Sequence, residues 1–457
     1  MPSDDRVIRD LAASDPVGAQ GAFPVGFSWG AATSSYQTEG AVHEDGRGES
    51  IWDRFCATPG AVRNGEDGTI ACDSYHRYRE DVALLHELGA NAFRFSISWP
   101  RVLPTGRGAV NEAGLDFYDR LVDELLANGI EPLVTLYHWE LPSALEDAGG
   151  WPERRTVEAF VELAEVVGRR LGDRVSRWIT HNEPWVASWL GYGWGMHAPG
   201  RASVEDALAA AHHLLLSHGL ACEVLRTCSR DAHVGIALDL TEAVPATSGE
   251  EDIAAAAELD GERNRWFLDA IFRAEYPADV RERFVSSVPP IAEGDLSTIA
   301  APLDFLGVNY YTRNVVERTP DGGRRTVPQP GAPHTEMGWE VAPQSLFNIL
   351  VRLRDEYAPP SIAITENGAA FTDVRREDGS VVDPERCAYL ADHVEAVRRA
   401  LVAGVPVSGY FVWSLLDNFE WTEGYSKRFG IVYVDYPTLE RVPKSSFYRY
   451  RDLIAEK

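Results

Sequence analysis

Residues 175–184 read VSRWITHNEP, and residues 361–368 read SIAITENG. In each stretch a short β-branched or aromatic run ends in polar residues that include a glutamate, Glu183 or Glu366. Polar residues at the carboxyl end of an apolar strand are typical of a parallel sheet with its functional site at that end. Both the fold and the site can therefore be sought outward from these two stretches.

Six further runs of this kind alternate with amphipathic helical stretches, which indicates a parallel sheet with crossover helices. The eight runs are FSWGAAT from Phe27, AFRFSIS from Ala92, PLVTLYH from Pro132, VSRWITH from Val175, HVGIALD from His233, DFLGVNY from Asp304, SIAIT from Ser361 and SGYFVWS from Ser408. Eight parallel strands close most naturally as a barrel. The sequence therefore predicts the α/β class and a single (β/α)₈ TIM barrel.

The predicted helices carry their own boundary signals. Apolar residues recur at helical spacing over residues 118–126, and Gly129 suits the position just after a helix. Asp73 and Ser74 are candidate N-caps for another helix, which Gly89 would end.

Three connections are longer than a simple barrel needs: residues 41–70, 313–345 and 417–430. Such long loops are usually functional, and strand-like runs resume after each of them. We therefore interpret the loops as insertions on one face of one catalytic barrel domain over residues 21–457. A polar N-terminal tail over residues 1–20 precedes it.

The composition limits the classes of partner. Seventy acidic against 43 basic residues give a formal charge of -27, which repels nucleic-acid phosphates and anionic lipid headgroups. The five cysteines show no paired spacing, the N-terminus has no apolar segment, and no later run approaches the ~18 apolar residues of a membrane span. The sequence predicts a cytoplasmic protein with no metal, no cofactor and neither nucleic acid nor membrane as a partner.

Polar and aromatic residues lie in or just after other predicted strands. They are Gln37, Arg94, His138, Trp139, Asn309, Tyr311, Trp413, Glu420 and Trp421. Amides, imidazoles and carboxylates hydrogen-bond hydroxyl groups, whereas indole faces stack on the apolar faces of pyranose rings. Two glutamates facing each other across a barrel mouth supply the two carboxyl groups that glycosidic cleavage requires. The pattern predicts a catalytic sugar pocket.

Six motifs carry a family resemblance: FPVGFSWGAATSSYQTEG from Phe23, FRFSISWPR from Phe93, Asn182-Glu183-Pro184, Asn309-Tyr310-Tyr311, ITENG from Ile364 and WSLLDNFEW from Trp413. From about residue 23 to residue 450 the chain resembles family 1 of the glycoside hydrolases, the β-glucosidase and β-galactosidase group. The resemblance implies a retaining β-glycosidase that releases terminal β-D-glucosyl residues through a covalent glycosyl-enzyme, with a place in cellulose degradation. Side activity on β-galactosides and β-fucosides stays open.

The same resemblance implies a role for each site residue. Glu183 is the acid/base and Glu366 the nucleophile, which Arg94 and Tyr311 support. The implied glycone-binding residues are Gln37, His138, Asn182, Glu420 and Trp421, with Trp413 as the stacking platform. Trp185, Asn309 and Trp339 are expected to face the acid/base or the leaving group. A cis peptide between Trp413 and Ser414 is also implied.

Three alternative functions share some of these features. A noncatalytic carbohydrate-binding barrel has no use for two intact glutamates. A metal-dependent hydrolase with His138, Glu140, His181 and Glu183 as ligands leaves Glu366 without a role. A 6-phospho-β-glycosidase resembles the chain more closely, but such relatives have Ser at Glu420 and Tyr at Phe429, and Lys427 alone matches their pattern. The sequence leaves the glycone, the aglycone and the oligomeric state undecided.

Overall fold

The computed structural model describes residues 23–456, and eight parallel strands form a closed barrel at its centre. In chain order they are β1 Ser28–Ala32, β2 Ala92–Ser96, β3 Glu131–Tyr137, β4 Arg177–Asn182, β5 His233–Asp239, β6 Phe305–Asn309, β7 Ile362–Asn367 and β8 Val407–Trp413. Each strand pairs with its sequence neighbours, and β8 closes the ring against β1. The predicted α/β class and (β/α)₈ barrel are confirmed. The predicted tail over residues 1–20 lies outside the described residues.

One long helix follows each strand and packs outside the barrel. These helices are α1 Ser74–Leu88, α2 Glu112–Ala127, α3 Arg155–Leu171, α4 Val204–Cys228, α5 Glu250–Asp260, α6 Pro343–Glu356, α7 Pro384–Val402 and α8 Ser445–Ala455. Shorter helices span Ser35–Thr38, Ile51–Cys56, Trp99–Val102, Ser143–Asp147, Trp266–Arg273, Ala278–Arg283 and Asp295–Ile299. Two 3₁₀ turns span Arg63–Gly65 and Trp421–Glu423, and two π-helical segments span Val186–Gly193 and Gly261–Arg265.

The helix boundaries agree with the sequence signals, with one difference. Gly89 and Gly129 follow α1 and α2 with φ of 77° and 71°, a left-handed conformation that glycine adopts readily. Asp73 stands at the N-cap of α1 but makes no capping hydrogen bond, because its carboxylate contacts the His76 ring at 2.6 Å instead.

The long connections carry structure of their own. Strands Asn314–Arg318 and Arg324–Thr326 join Ala243–Pro245 in a three-stranded sheet, and Val432–Asp435 pairs with Glu440–Pro443. The predicted loop over residues 41–70 contains helix Ile51–Cys56, from which Trp52 contacts Trp421 at a ring separation of 4.5 Å. The first and last long loops therefore meet above the barrel.

Apolar side chains fill two layers. A small inner cluster, which includes Leu133, Ile179 and Phe411, closes the barrel interior, and a larger cluster lies between the strands and the helices. Helix α4 corrects one expectation, since it is long and apolar enough to span a membrane by composition. It nevertheless belongs to the core, because 78% of its most apolar window is buried. The five cysteines are free thiols.

Both glutamate-bearing strands are irregular just before the glutamate. The pairing of β4 with β5 shifts register between Ile179 and Asn182, and that of β7 with β6 shifts between Ile364 and Glu366. Bulges of this kind redirect side chains and are common beside active sites.

Candidate active site

A cavity of about 410 Å³ opens at the carboxyl ends of the strands. This volume lies in the range typical of small-molecule sites. Its lining includes ten of the site residues singled out from the sequence: His138, Trp139, Glu183, Trp185, Tyr311, Trp339, Glu366, Trp413, Glu420 and Trp421. The long loops and the strand ends thus converge on one pocket.

Glu366 sits at the end of β7 between a cation and a phenol. Arg94 of β2 forms an ion pair with its Oε1, and the Tyr311 hydroxyl donates to its Oε2 at 2.5 Å. Arg94 is held in turn by hydrogen bonds from its Nε to Thr135 at 3.1 Å and from its Nη2 to Asn182 at 2.7 Å. Both Glu366 oxygens are therefore fixed by donors that favour the ionised carboxylate.

Glu183 follows β4 in a left-handed conformation, with φ of 48°. Its backbone N–H donates to the carbonyl of Ala237 at 2.8 Å, and the Asn309 amide donates to its Oε1 at 2.6 Å. Trp139 and Trp421 also have positive φ, 67° and 51°. Positive φ is uncommon outside glycine and clusters at functional sites, as these three cavity-lining residues do.

Asn182 links the two glutamates. Its Oδ1 accepts from Arg94 and, at 2.9 Å, from Asn309, so its Nδ2 is the donor that faces the His138 Nε2 at 3.1 Å. The Thr365 hydroxyl in turn donates to the Asn309 Oδ1 at 2.7 Å. One buried network therefore fixes Glu366, Glu183 and His138 relative to one another.

The two glutamates differ in their surroundings. Burial raises the pKa of Glu183 well above its usual range, and the nearby charges of Asp239 and Glu366 raise it further. Burial also raises the pKa of Glu366, but the charge of Arg94 and the hydrogen bonds from Tyr311 and Arg94 oppose that rise. These surroundings suit Glu183 to carry a proton and Glu366 to remain a carboxylate.

Two polar residues of the cavity lining, His138 and Glu420, stand at its deep end, and Gln37 is buried beside Glu420. The Gln37 amide donates to the Phe419 carbonyl at 2.9 Å and contacts the Glu420 carboxyl at 3.5 Å. Burial raises the pKa of Glu420 to about 8, with Glu366 contributing. Burial and Arg94 lower the pKa of His138 well below its usual range, so its ring is neutral at pH 7.

Two tryptophans flank these polar groups. The His138 ring stacks on Trp413 at 5.7 Å and on Trp421 at 6.1 Å. The expected cis peptide between Trp413 and Ser414 is present. Gly368 permits this arrangement, because a Cβ there would lie 1.7 Å from the Trp413 carbonyl oxygen.

Trp185 and Trp339 both line the cavity. Trp339 packs against Tyr311 at 5.4 Å and Phe429 at 6.1 Å, and Trp185 lies under the guanidinium of Arg263 at 4.3 Å. Both expected positions therefore border the cavity.

Sequence reasoning missed several lining residues. They are Val186, Leu190, Trp194, Met196, His197, Asp239, Thr241, Arg263, Thr312, Asn314, Met337, Thr422 and Glu423. Asp239 is the last residue of β5, so it too is a polar residue at the end of an apolar run. The signal that indicates Glu183 and Glu366 could therefore have indicated Asp239. Trp194 and Met196 follow the π-helical segment Val186–Gly193, and Arg263 lies within the other one, where no strand-end signal exists.

The four residues of the metal-ligand alternative point in different directions. Glu140 pairs with Arg47 at 2.7 Å, away from the cavity, and His181 faces helix α4, where it contacts the Ser217 hydroxyl at 2.8 Å. Only His138 and Glu183 of this set line the cavity. This dispersion removes the geometric basis for that alternative.

A model of glycosyl hydrolase family 1 matches residues 19–457. The chain belongs to this family. It is 48% identical to Beta-glucosidase A from Thermotoga maritima over 94% of this chain and 97% of that one, and 46% identical to a bifunctional beta-D-glucosidase/beta-D-fucosidase from Bifidobacterium breve over 95% and 98%. The Thermotoga maritima β-glucosidase in complex with glucoimidazole superposes with a TM-score of 0.94 at 47% identity, covering 96% and 99% of the two chains. As a family 1 member the chain is a retaining glycoside hydrolase.

Proposed function

We propose that this chain is a β-glucosidase that removes terminal non-reducing β-D-glucosyl residues, with Glu366 as nucleophile and Glu183 as acid/base. The observation that carries the assignment is the contrast between the two carboxyl groups in one cavity. Glu366 contacts a cation and a phenol, whereas Glu183 contacts an amide and no cation among residues 23–456.

In the first step Glu366 attacks the anomeric carbon while Glu183 gives its proton to the departing oxygen. Arg94 and Tyr311 hold the attacking carboxylate by both oxygens, so little reorganisation is needed. A covalent glycosyl-enzyme results, and the aglycone leaves with the Glu183 proton.

In the second step Glu183, now ionised, takes a proton from a water molecule that attacks the same carbon. The bond to Glu366 breaks, and the sugar leaves with its original β configuration. The Asn309 amide suits both steps, because it can donate to Glu183 in either protonation state.

The groups at the deep end fit an unphosphorylated glucosyl ring. His138 and Glu420 line the cavity and can hydrogen-bond its hydroxyls, and Trp413 offers an apolar face. Gln37 contacts Glu420 and Asn182 contacts His138, so these two amides support the groups that line the cavity. Lys427, the match to the 6-phospho alternative, instead donates to the Glu336 carbonyl at 2.6 Å. Phe429 packs against Tyr311 and has no hydroxyl to bind a phosphate.

We propose that the substrates are short β-linked glucans, as in cellulose breakdown. We also propose that the enzyme acts in the cytoplasm. Relatives from Thermotoga neapolitana bear the name 1,4-beta-D-glucan glucohydrolase, which supports this class. The name of the Bifidobacterium breve relative supports a β-fucoside side activity.

The test has two parts. Rates over nitrophenyl β-glucoside, β-galactoside, β-fucoside and cellobiose should be highest for a glucoside. A slowly released 2-fluoro glucoside should then label Glu366 covalently, as peptide mass spectrometry would show. No hydrolysis of any β-glycoside, or a label on another residue, would refute the assignment.

A further inference from the structure

Asp239 and Arg263 form an ion pair on the cavity wall, on the side of Trp185. The Arg263 guanidinium lies over the Trp185 ring at 4.3 Å, and its Nε has no hydrogen-bond partner among residues 23–456. Neither residue contacts the glycone-side groups described above. The pair therefore borders the space in which the leaving group must lie.

The strand geometry places Asp239 close to Glu183. Asp239 ends β5 and is in register with Asn309 of β6, the residue whose amide donates to Glu183. The Glu183 backbone N–H donates to Ala237, two residues before Asp239 on the same strand. Two carboxyl groups thus flank the end of β5 and face one cavity.

The charged and titratable groups facing Glu183 come from several elements. They are Asp239 of β5, Glu366 of β7, Arg94 of β2, Tyr311 after β6 and Arg263 behind Asp239. Glu366 opposes ionisation of Glu183, but Arg94, its ion-pair partner, favours it. Asp239 is the other carboxylate whose charge opposes ionisation of Glu183, and its ion pair with Arg263 weakens that charge.

We propose that Asp239 is a positioning residue for the acid step, which keeps the leaving-group proton on Glu183, and that Arg263 sets the strength of this effect. This inference rests on the proposed role of Glu183. In glycosylation the proton passes from Glu183 to the glycosidic oxygen as the bond from that oxygen to the anomeric carbon breaks and the bond to Glu366 forms. Asp239 itself exchanges no proton.

The experiment measures kcat/KM against pH for cellobiose, whose leaving group needs protonation. The alkaline limb of this profile reports the pKa of the catalytic acid in the free enzyme. Removing the neighbouring negative charge in Asp239→Asn should move the limb to lower pH by about 0.5 to 1 unit. Removing the cation in Arg263→Gln should move it to higher pH by a similar amount.

Glu395→Gln is the matched control, because it removes one carboxylate from an exposed arginine pair on α7, far from the cavity. Its limb should coincide with that of the wild type. Opposite shifts in the two test variants support the proposal, since a merely structural role would lower activity without moving the limb in opposite directions. If Asp239→Asn does not fold, Arg263→Gln alone decides the result.

Unchanged limbs in folded, active variants would overturn the proposal, as would shifts of the reversed sign. Equal losses at all pH values would also overturn it. If the proposed β-glycosidase function were itself wrong, the wild type would hydrolyse no β-glycoside. That outcome is distinct from unchanged or reversed limbs in active variants.

Discussion

The loss of activity on replacing Glu183 should depend strongly on the leaving group of the substrate. In Glu183→Ala, hydrolysis of cellobiose should fall by about 10²- to 10⁴-fold, the usual contribution of general acid help. The glycosylation step of an activated aryl glucoside should slow far less, because a good leaving group departs without a proton. Parallel kcat/KM measurements on the two substrates check this.

Azide provides the control for that variant. It attacks the glycosyl-enzyme without a general base, so added azide should restore turnover and yield a β-glycosyl azide. Equal losses on all substrates with no effect of azide would place the acid/base elsewhere.

Glu420 shows how burial modifies an argument made from sequence. A charged Glu420 repelling a 6-phosphate is the sequence-based expectation, but with a pKa of about 8 its carboxyl is mostly protonated at pH 7. Exclusion of the phosphate at pH 7 then rests on Phe429 and on the engagement of Lys427 with Glu336. Charge repulsion adds to it as the pH rises through about 8 and Glu420 ionises.

The preference for a nitrophenyl β-glucoside over its 6-phosphate should therefore widen between pH 7 and pH 9. The widening follows because Glu420 ionises as the pH rises through its raised pKa, while the phosphate is already almost fully charged at pH 7. The kcat/KM ratio measures it, and in Glu420→Ser the ratio should not depend on pH. A wild-type preference for the phosphorylated substrate would contradict the proposed specificity for unphosphorylated glucosides.

At the scale of elements, the loop after β8 is anchored by a buried charge network. Asp417 accepts from Lys444 at 2.6 Å and from Arg428 at 2.6 Å, and Lys444 also pairs with Asp373 at 2.6 Å. The side chains of Lys444, Asp373 and Asp417 are fully buried. This network fixes the loop that carries Glu420 and Trp421 into the cavity.

Asp417→Ala should lower the free energy of unfolding by about 3–5 kcal/mol, because it breaks a buried charge network. Arg428 loses its carboxylate partner, and Lys444 keeps only Asp373. Thermal and denaturant unfolding measure the loss, and KM for the glucoside should rise because the glycone-binding loop loosens. Glu395→Ala, which breaks an exposed pair on α7, should change stability by less than about 1 kcal/mol. Equal small effects of both substitutions would show that the network does not anchor the loop.

At the scale of the whole molecule, the barrel could be predicted because each strand is an apolar run bounded by polar residues. Glu183 and Glu366 can be predicted as site residues for the same reason, since each follows an apolar run. Arg263 could not be found this way, because a π-helical segment within the excursion between β5 and β6 brings it to the cavity. The pairing of Asp239 with Arg263 depends on three-dimensional proximity over 24 positions, which local patterns do not encode.

The stereochemistry of the reaction tests the central claim most directly. A Glu183/Glu366 pair that acts by double displacement should have carboxyl groups about 5 to 5.5 Å apart, too close for a water molecule to attack the sugar directly. Proton NMR of the first sugar released from a β-glucoside, recorded before mutarotation, should show β-glucose. First-formed α-glucose would contradict both the nucleophile assignment and the retaining mechanism.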